Sequence, residues 1–256
     1  MELFLIDAIG PFFRGYESQR VNWSKIPFTH LAGADDARWQ RITADLRTFA
    51  REVAAQGYNA VTLDDLAHLA PHPLHEPEVA AQIALFREKF RGFFDILRDE
   101  FGLKIYLTSD VLPMTPAVAA SLGDDLQAQE IYYRDLVRGV LDDFPQLEGL
   151  IIRIGESDGN DVQDAIRTRL HLTSARETNR LLHLLLPDFE MRGRNLILRT
   201  WTVGAHRIGD LIWHSGTLAQ TLKGIDSPNF IVSMKHGESD FFRYLPLNRA
   251  FFRVPH

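Results

Sequence analysis

Leu150-Ile151-Ile152-Arg153-Ile154-Gly155-Glu156, Leu196-Ile197-Leu198-Arg199-Thr200-Trp201 and Phe230-Ile231-Val232-Ser233-Met234-Lys235-His236 decide how this chain is read. Each is a continuous apolar run rich in β-branched residues, the signature of a parallel strand covered on both faces. Each also carries one basic residue at a similar place. A buried guanidinium or ammonium is costly unless an anion meets it, so three of them on successive strands point to a common anion. Glu156 and Asp240 follow the first and third runs, where an α/β barrel keeps its chemistry.

Working outward, strands are expected at Leu3 to Ile6, Ala60 to Leu63 and Leu103 to Leu107 as well. Helices are expected between them. One runs from about Asp35 to Gln56, with Trp39, Ile42, Leu46, Phe49 and Val53 on one face and Gly57 as its stop. A second starts at Pro77, buries Val79, Ile83, Phe86, Phe90 and Leu97, and stops at Gly102. A third spans Asp125 to Phe144. The segment Asp161 to Leu186 reads as helical with a break near Thr173-Ser174, and a short helix falls near Leu218 to Leu222. Alternating strands and helices predict a single α/β domain over residues 1–256. A doubly wound sheet is the alternative, but no glycine-rich phosphate turn follows the first strand. A (β/α)8 barrel is favoured because Asp64, Asp110, Glu156, Trp201, His206, His236 and Asp240 gather at C-terminal strand ends. About six βα units fit, against the eight of a closed barrel. This implies either a barrel truncated at its C-terminus or an unusual closure.

Composition excludes several classes. A formal net charge of −6 gives no reason to expect a nucleic acid or an anionic membrane as partner. Without cysteine there is no disulfide or thiolate chemistry. The N-terminus has an acid, Asp7, at the end of its short apolar run and no basic leader region, so the chain reads as cytoplasmic. A metal site is not expected: His206, His214 and His236 lack zinc-ligand spacing. The run Glu156-Ser157-Asp158-Gly159-Asn160-Asp161 lacks the spacing of a calcium loop. No cofactor is implied, and a homo-oligomer is left open.

Two constellations carry chemistry. Glu156 and Asp240 are paired carboxylates for glycosidic hydrolysis, one protonating the leaving oxygen and the other activating water. Otherwise they are solvated loop acids or partners of Arg153 and Lys235. Arg153, Arg199 and Lys235 form a clamp for a carboxylate, or an internal ion-pair network with Asp64, Asp110 and Glu156; the two readings are compatible, because an empty anion site often borrows nearby acids. Trp201 and Trp213 could stack on a sugar ring or belong to the core.

The segment Asn229 to Phe241, with Pro246 and Phe251 beyond it, resembles glycoside hydrolase family 67, the α-glucuronidases, over its Lys-x-Gly-x-x-Asp-Phe run. The resemblance implies that Asp240 activates water and that Lys235 binds the glucuronate carboxylate. By the same resemblance Arg199 shares that binding, Arg153 takes the place of a carboxylate-binding lysine, and Glu156 is the general acid. The family spaces that lysine and acid by one more residue, which makes Asp158 a substitute for Glu156. Its second water-activating carboxylate would lie beyond His256, and its flanking domains have no counterpart. The expected activity is inverting hydrolysis of an acidic sugar, with an oligosaccharide or uronic-acid substrate held also by Trp201, His236, Asp64 and Asp110. The alternatives are a non-catalytic carbohydrate-binding barrel, or a retaining glycosidase whose nucleophile lies on a later strand.

Overall fold

The computed structural model describes residues 2–8, 12–16, 31–154, 165–168, 172–200, 215–237 and 244–252. In chain order its strands are β1 (Leu5–Asp7), β2 (Ala60–Asp65), β3 (Lys104–Asp110), β4 (Pro113–Met114), β5 (Leu147–Arg153), β6 (Arg167–Thr168), β7 (Asn195–Arg199) and β8 (Phe230–Ser233). Its helices are α1 (Asp36–Ala55), α2 (Leu66–Leu69), α3 (Pro77–Asp95), α4 (Pro116–Leu122), α5 (Leu126–Asp143), α6 (Ala175–Glu190) and α7 (Ser215–Thr221).

Six strands form one parallel sheet in the order β1-β2-β3-β5-β7-β8. The spatial order never reverses, as it would at the switch point of a doubly wound sheet. The chain is therefore α/β with a parallel half barrel, and the described strands do not close it. Both faces are apolar, which explains why the strands read as unbroken hydrophobic runs. On the outer face Val61, Leu63, Ile105, Leu107, Leu150, Ile152, Leu196, Leu198, Phe230 and Val232 join the helices in the main core. On the inner face Ala60, Tyr106, Ile151 and Ile197 make a smaller cluster with Leu5 and Ile231.

The helices start and stop for local reasons. The Asp35 carboxylate accepts from the Arg38 N–H at 2.8 Å and caps α1, whose buried stripe is Trp39, Ile42, Leu46, Ala50 and Val53. Asp125 caps α5 by accepting from the Gln127 and Ala128 N–H groups. Ser174 and Glu177 form a reciprocal capping box at α6. That box sets the helix start at Ala175, and residues 167–168, expected to be helical, instead pair antiparallel with β4. Two other expectations are corrected. Strand β3 runs on through Thr108 and Ser109 to Asp110, and β8 stops at Ser233, so Lys235 and His236 lie beyond it. Among the described residues no helix is long and apolar enough to cross a membrane.

The loop between α2 and α3 leans on α5 through His75, whose Nε2 is 3.0 Å from the Tyr132 hydroxyl. Its Nδ1 is buried with no hydrogen-bond partner among the described residues. Burial, reinforced by the neighbouring His72 and opposed by Glu76, pushes the imidazole down from its ordinary 6.5 to about 4. The folded state therefore favours neutral His75. Its contribution is complete above pH 6.5 and is lost as pH falls through about 4. Because the ring is partly exposed, the expected loss is about 1–2 kcal/mol. Urea unfolding at several pH values checks this, and His75→Gln should flatten the slope between pH 6.5 and 4.

Candidate functional site at the C-terminal strand ends

In-register residues of parallel strands share a face and sit about 4.8 Å apart. Two inner-face layers follow from the register. The lower one is Thr108, Ile151, Ile197 and Ile231, an apolar floor with one hydroxyl. Above it, at the strand ends, lie Asp110, Arg153, Arg199 and Ser233. Arg153 and Arg199 are thus lateral neighbours pointing the same way, as a shared role requires.

Arg153 is held inside the protein. Its side chain is fully buried, with Nε 2.9 Å from Asp110 Oδ1 and a terminal nitrogen 3.6 Å from Asp65 Oδ2. Such contacts answer the cost of burying a guanidinium. Of the two sequence alternatives for Arg153, the internal ion pair is present, made with Asp110 and Asp65. Arg199 and Lys235 are each partly buried, and His236 is exposed. The Lys235 and His236 carbonyls accept from the side chain and backbone N–H of Asn248, at 3.2 and 2.9 Å. The returning segment 244–252 thereby fastens the loop beyond β8.

Asp65 was missed by the sequence reading. Simple alternation after Ala60 and Thr62 turns Asp64 inward. Strand β2 bulges, however: Thr62 pairs with Tyr106, but the next pair is Asp65 with Thr108. The bulge brings Asp65 into the inner layer. Asp64 is fully buried, with Oδ1 2.7 Å from His68 Nδ1 and accepting from the Asp65 N–H at 2.7 Å. The His68 ring in turn lies 5.7 Å from Phe86 of α3. Asp64 is therefore joined to His68, while Asp65 and Asp110 meet the guanidinium. Only the doubled acid Asp64-Asp65 at a strand end could have hinted at this.

Asp65 caps α2, accepting from the Ala67 N–H at 3.0 Å and from the Thr108 hydroxyl at 3.3 Å. Burial pushes its carboxyl up from the ordinary 3.8 to about 6. Asp110 adds to the rise, and Arg153, His68 and the Ala67 N–H oppose it. Behind the layer, the buried Tyr133 hydroxyl donates to Ser109 at 2.9 Å, and burial pushes that phenol well above its usual range. Below these layers, Asp7 on β1 accepts from the Thr62 hydroxyl at 2.8 Å.

Glu156, Asp158, Trp201, His206, Trp213, His214 and Asp240 lie outside the described residues. Among the described residues no cluster of His, Asp or Glu could hold a metal ion.

Among solved structures the chain is similar to a D-tagatose 3-epimerase-like protein, at 14% identity and a TM-score of 0.41, over 73% of this chain and 60% of that one. It is also similar to a D-psicose 3-epimerase determined in the presence of D-fructose, at 12% identity and a TM-score of 0.40, over 91% and 75%. A class V chitinase from Pseudomonas fluorescens is matched at 9% identity and a TM-score of 0.39, over 75% and 51%. No protein-family model matches the chain, and no curated protein does.

Proposed function

We propose that this chain acts on an acidic sugar as an α-glucuronidase-like, inverting glycoside hydrolase. The observation that carries the reading is the layer of charge on an apolar floor at the C-terminal strand ends, with Arg199 beside Arg153 on the inner face. In this reading Arg199 and Lys235 hold the sugar carboxylate, one with a planar fork and the other as a point charge. Arg153, engaged by Asp110 and Asp65, fixes the geometry of the layer next to them. Glu156, which follows β5 in the sequence, protonates the glycosidic oxygen, and Asp240, which follows β8 in the sequence, activates the water that attacks from the opposite side of the ring. Trp201 and His236 supply ring contacts.

The test is turnover of an oligosaccharide bearing an α-linked glucuronic acid side group, with 4-nitrophenyl α-glucuronide as an activated substrate. Release of β-glucuronic acid is expected first, because inversion exchanges the anomeric configuration. Calorimetric binding of glucuronate without release from either substrate would replace hydrolysis by a non-catalytic carbohydrate-binding barrel. No binding and no release would remove the acidic sugar altogether.

A further inference from the structure

Strand β8 ends at Ser233, but two buried polar side chains hold the backbone at that end and beyond it. Thr200, the residue after Arg199, is 1% exposed and donates twice to the Ser233 carbonyl, from its N–H at 2.8 Å and its hydroxyl at 3.0 Å. Asn248, also 1% exposed, donates from its side-chain amide to the Lys235 carbonyl at 3.2 Å and from its N–H to the His236 carbonyl at 2.9 Å. Gly237 then pairs antiparallel with Leu247. The N–H bond from Thr200 is what a parallel pair supplies by itself, whereas a second donor on the same oxygen is not. Lys235 and His236 lie past the strand, where no ladder would satisfy their carbonyls. These bonds reach both proposed anion contacts through the chain. Arg199 precedes Thr200 and is in register with Ser233, and Lys235 itself carries a held carbonyl. A lysine ammonium sits on a flexible four-carbon stem, so a still backbone lowers the entropy lost when it meets an anion.

We propose that Thr200 and Asn248 are positioning residues for anion binding, setting the separation of Arg199 and Lys235 by tying the ends of β7 and β8 to the loop beyond them. Each acts through the backbone of the cation it holds, without touching the sugar. The gain is preorganisation: the two cations are spaced before the anion arrives, so binding need not pay to order them. The inference rests on the acidic-sugar reading above, which names Arg199 and Lys235 as the carboxylate contacts, and adds what keeps them in place.

Calorimetry on the full chain, with D-glucuronate as the probe, tests this. Thr200→Val keeps the shape and removes only the hydroxyl donor, and should weaken binding roughly three- to tenfold. Thr200→Ser, which restores a hydroxyl, should recover most of that loss. In a Lys235→Met background one cation is gone, and Thr200→Val should then cost little more, because no spacing remains to be kept. A residue that only stabilised the fold would weaken binding by the same factor in both backgrounds. Asn248→Ala removes the other tie, and amide exchange over Lys235 to Gly237 should speed up roughly tenfold while the sheet stays protected. Equal affinities of the wild type and Thr200→Val, or equal losses in the two backgrounds, overturn the positioning role and leave the acidic-sugar reading intact. Unaltered exchange in Asn248→Ala overturns the part assigned to Asn248, whatever the affinities. No glucuronate binding by the wild-type chain overturns the acidic-sugar reading and this inference together.

Discussion

Replacing Arg153 by methionine is expected to lower the unfolding free energy by about 3–5 kcal/mol, because it strips a buried ion cluster of its cation. The arginine side chain is fully buried between Asp110 and Asp65, which are themselves 4% and 14% exposed. Methionine fills much of the volume but leaves two carboxylates facing one another with less compensation. Their repulsion, added to incomplete solvation, is what costs stability, rather than lost packing. The deficit should shrink in acid, where Asp65, its carboxyl pushed up to about 6, takes up a proton and the cation matters less. Adding Asp110→Asn to the methionine variant should recover part of the loss, as neighbouring charges are not additive. Urea unfolding of the single and double variants at pH 7 and pH 4.5 reads both effects. A single-variant loss below about 1 kcal/mol would mean that Arg153 is solvated like a surface pair.

The same residue marks the limit of what sequence could supply. The apolar runs around Ile151, Ile197 and Ile231 announce parallel strands because both faces of the sheet are covered. Helix starts at Asp35 and Asp125 were legible for a similar reason: capping is a local interaction between neighbours in sequence. Longer-range choices were not. Which alternative Arg153 takes depends on how β3 and β5 align, and Asp110 meets it only because Asp110 and Arg153 are in register. Thr108-Ser109-Asp110 falls after the apolar run that ends at Leu107, yet it continues the strand, since these polar groups meet Asp65, Tyr133 and Arg153. The bulge in β2 exchanges Asp65 for Asp64, and a period of two cannot register an inserted residue. Strands β4 and β6, two residues each, are too short for any period to be visible.

Gly149→Ala is the second large effect, expected to destabilise on the order of 3–5 kcal/mol although only one methyl is added. Gly149 pairs with Tyr106 on one side and Asn195 on the other. A Cβ there would lie 2.0 Å from the Asn195 carbonyl oxygen and 2.9 Å from the Tyr106 ring. The ring can turn about its own axis while its hydroxyl keeps the hydrogen bond it accepts from the Asn195 amide at 2.9 Å, so the ring contact is the softer of the two. The carbonyl belongs to the backbone of β7, so relieving that clash means separating β5 from β7 beneath the apolar floor. Trimming the ring with Tyr106→Leu should therefore rescue little. Gly139→Ala on α5 is the control: nothing lies within 4 Å of its added Cβ. It should stabilise by about 0.5–1 kcal/mol, as alanine normally does in a helix. Opposite signs for these two identical substitutions, measured by urea unfolding, would separate close strand approach from backbone freedom. A loss at Gly149 no larger than 1 kcal/mol or so would mean that the β5–β7 seam yields, and the fixed spacing of Arg153 and Arg199 would yield with it.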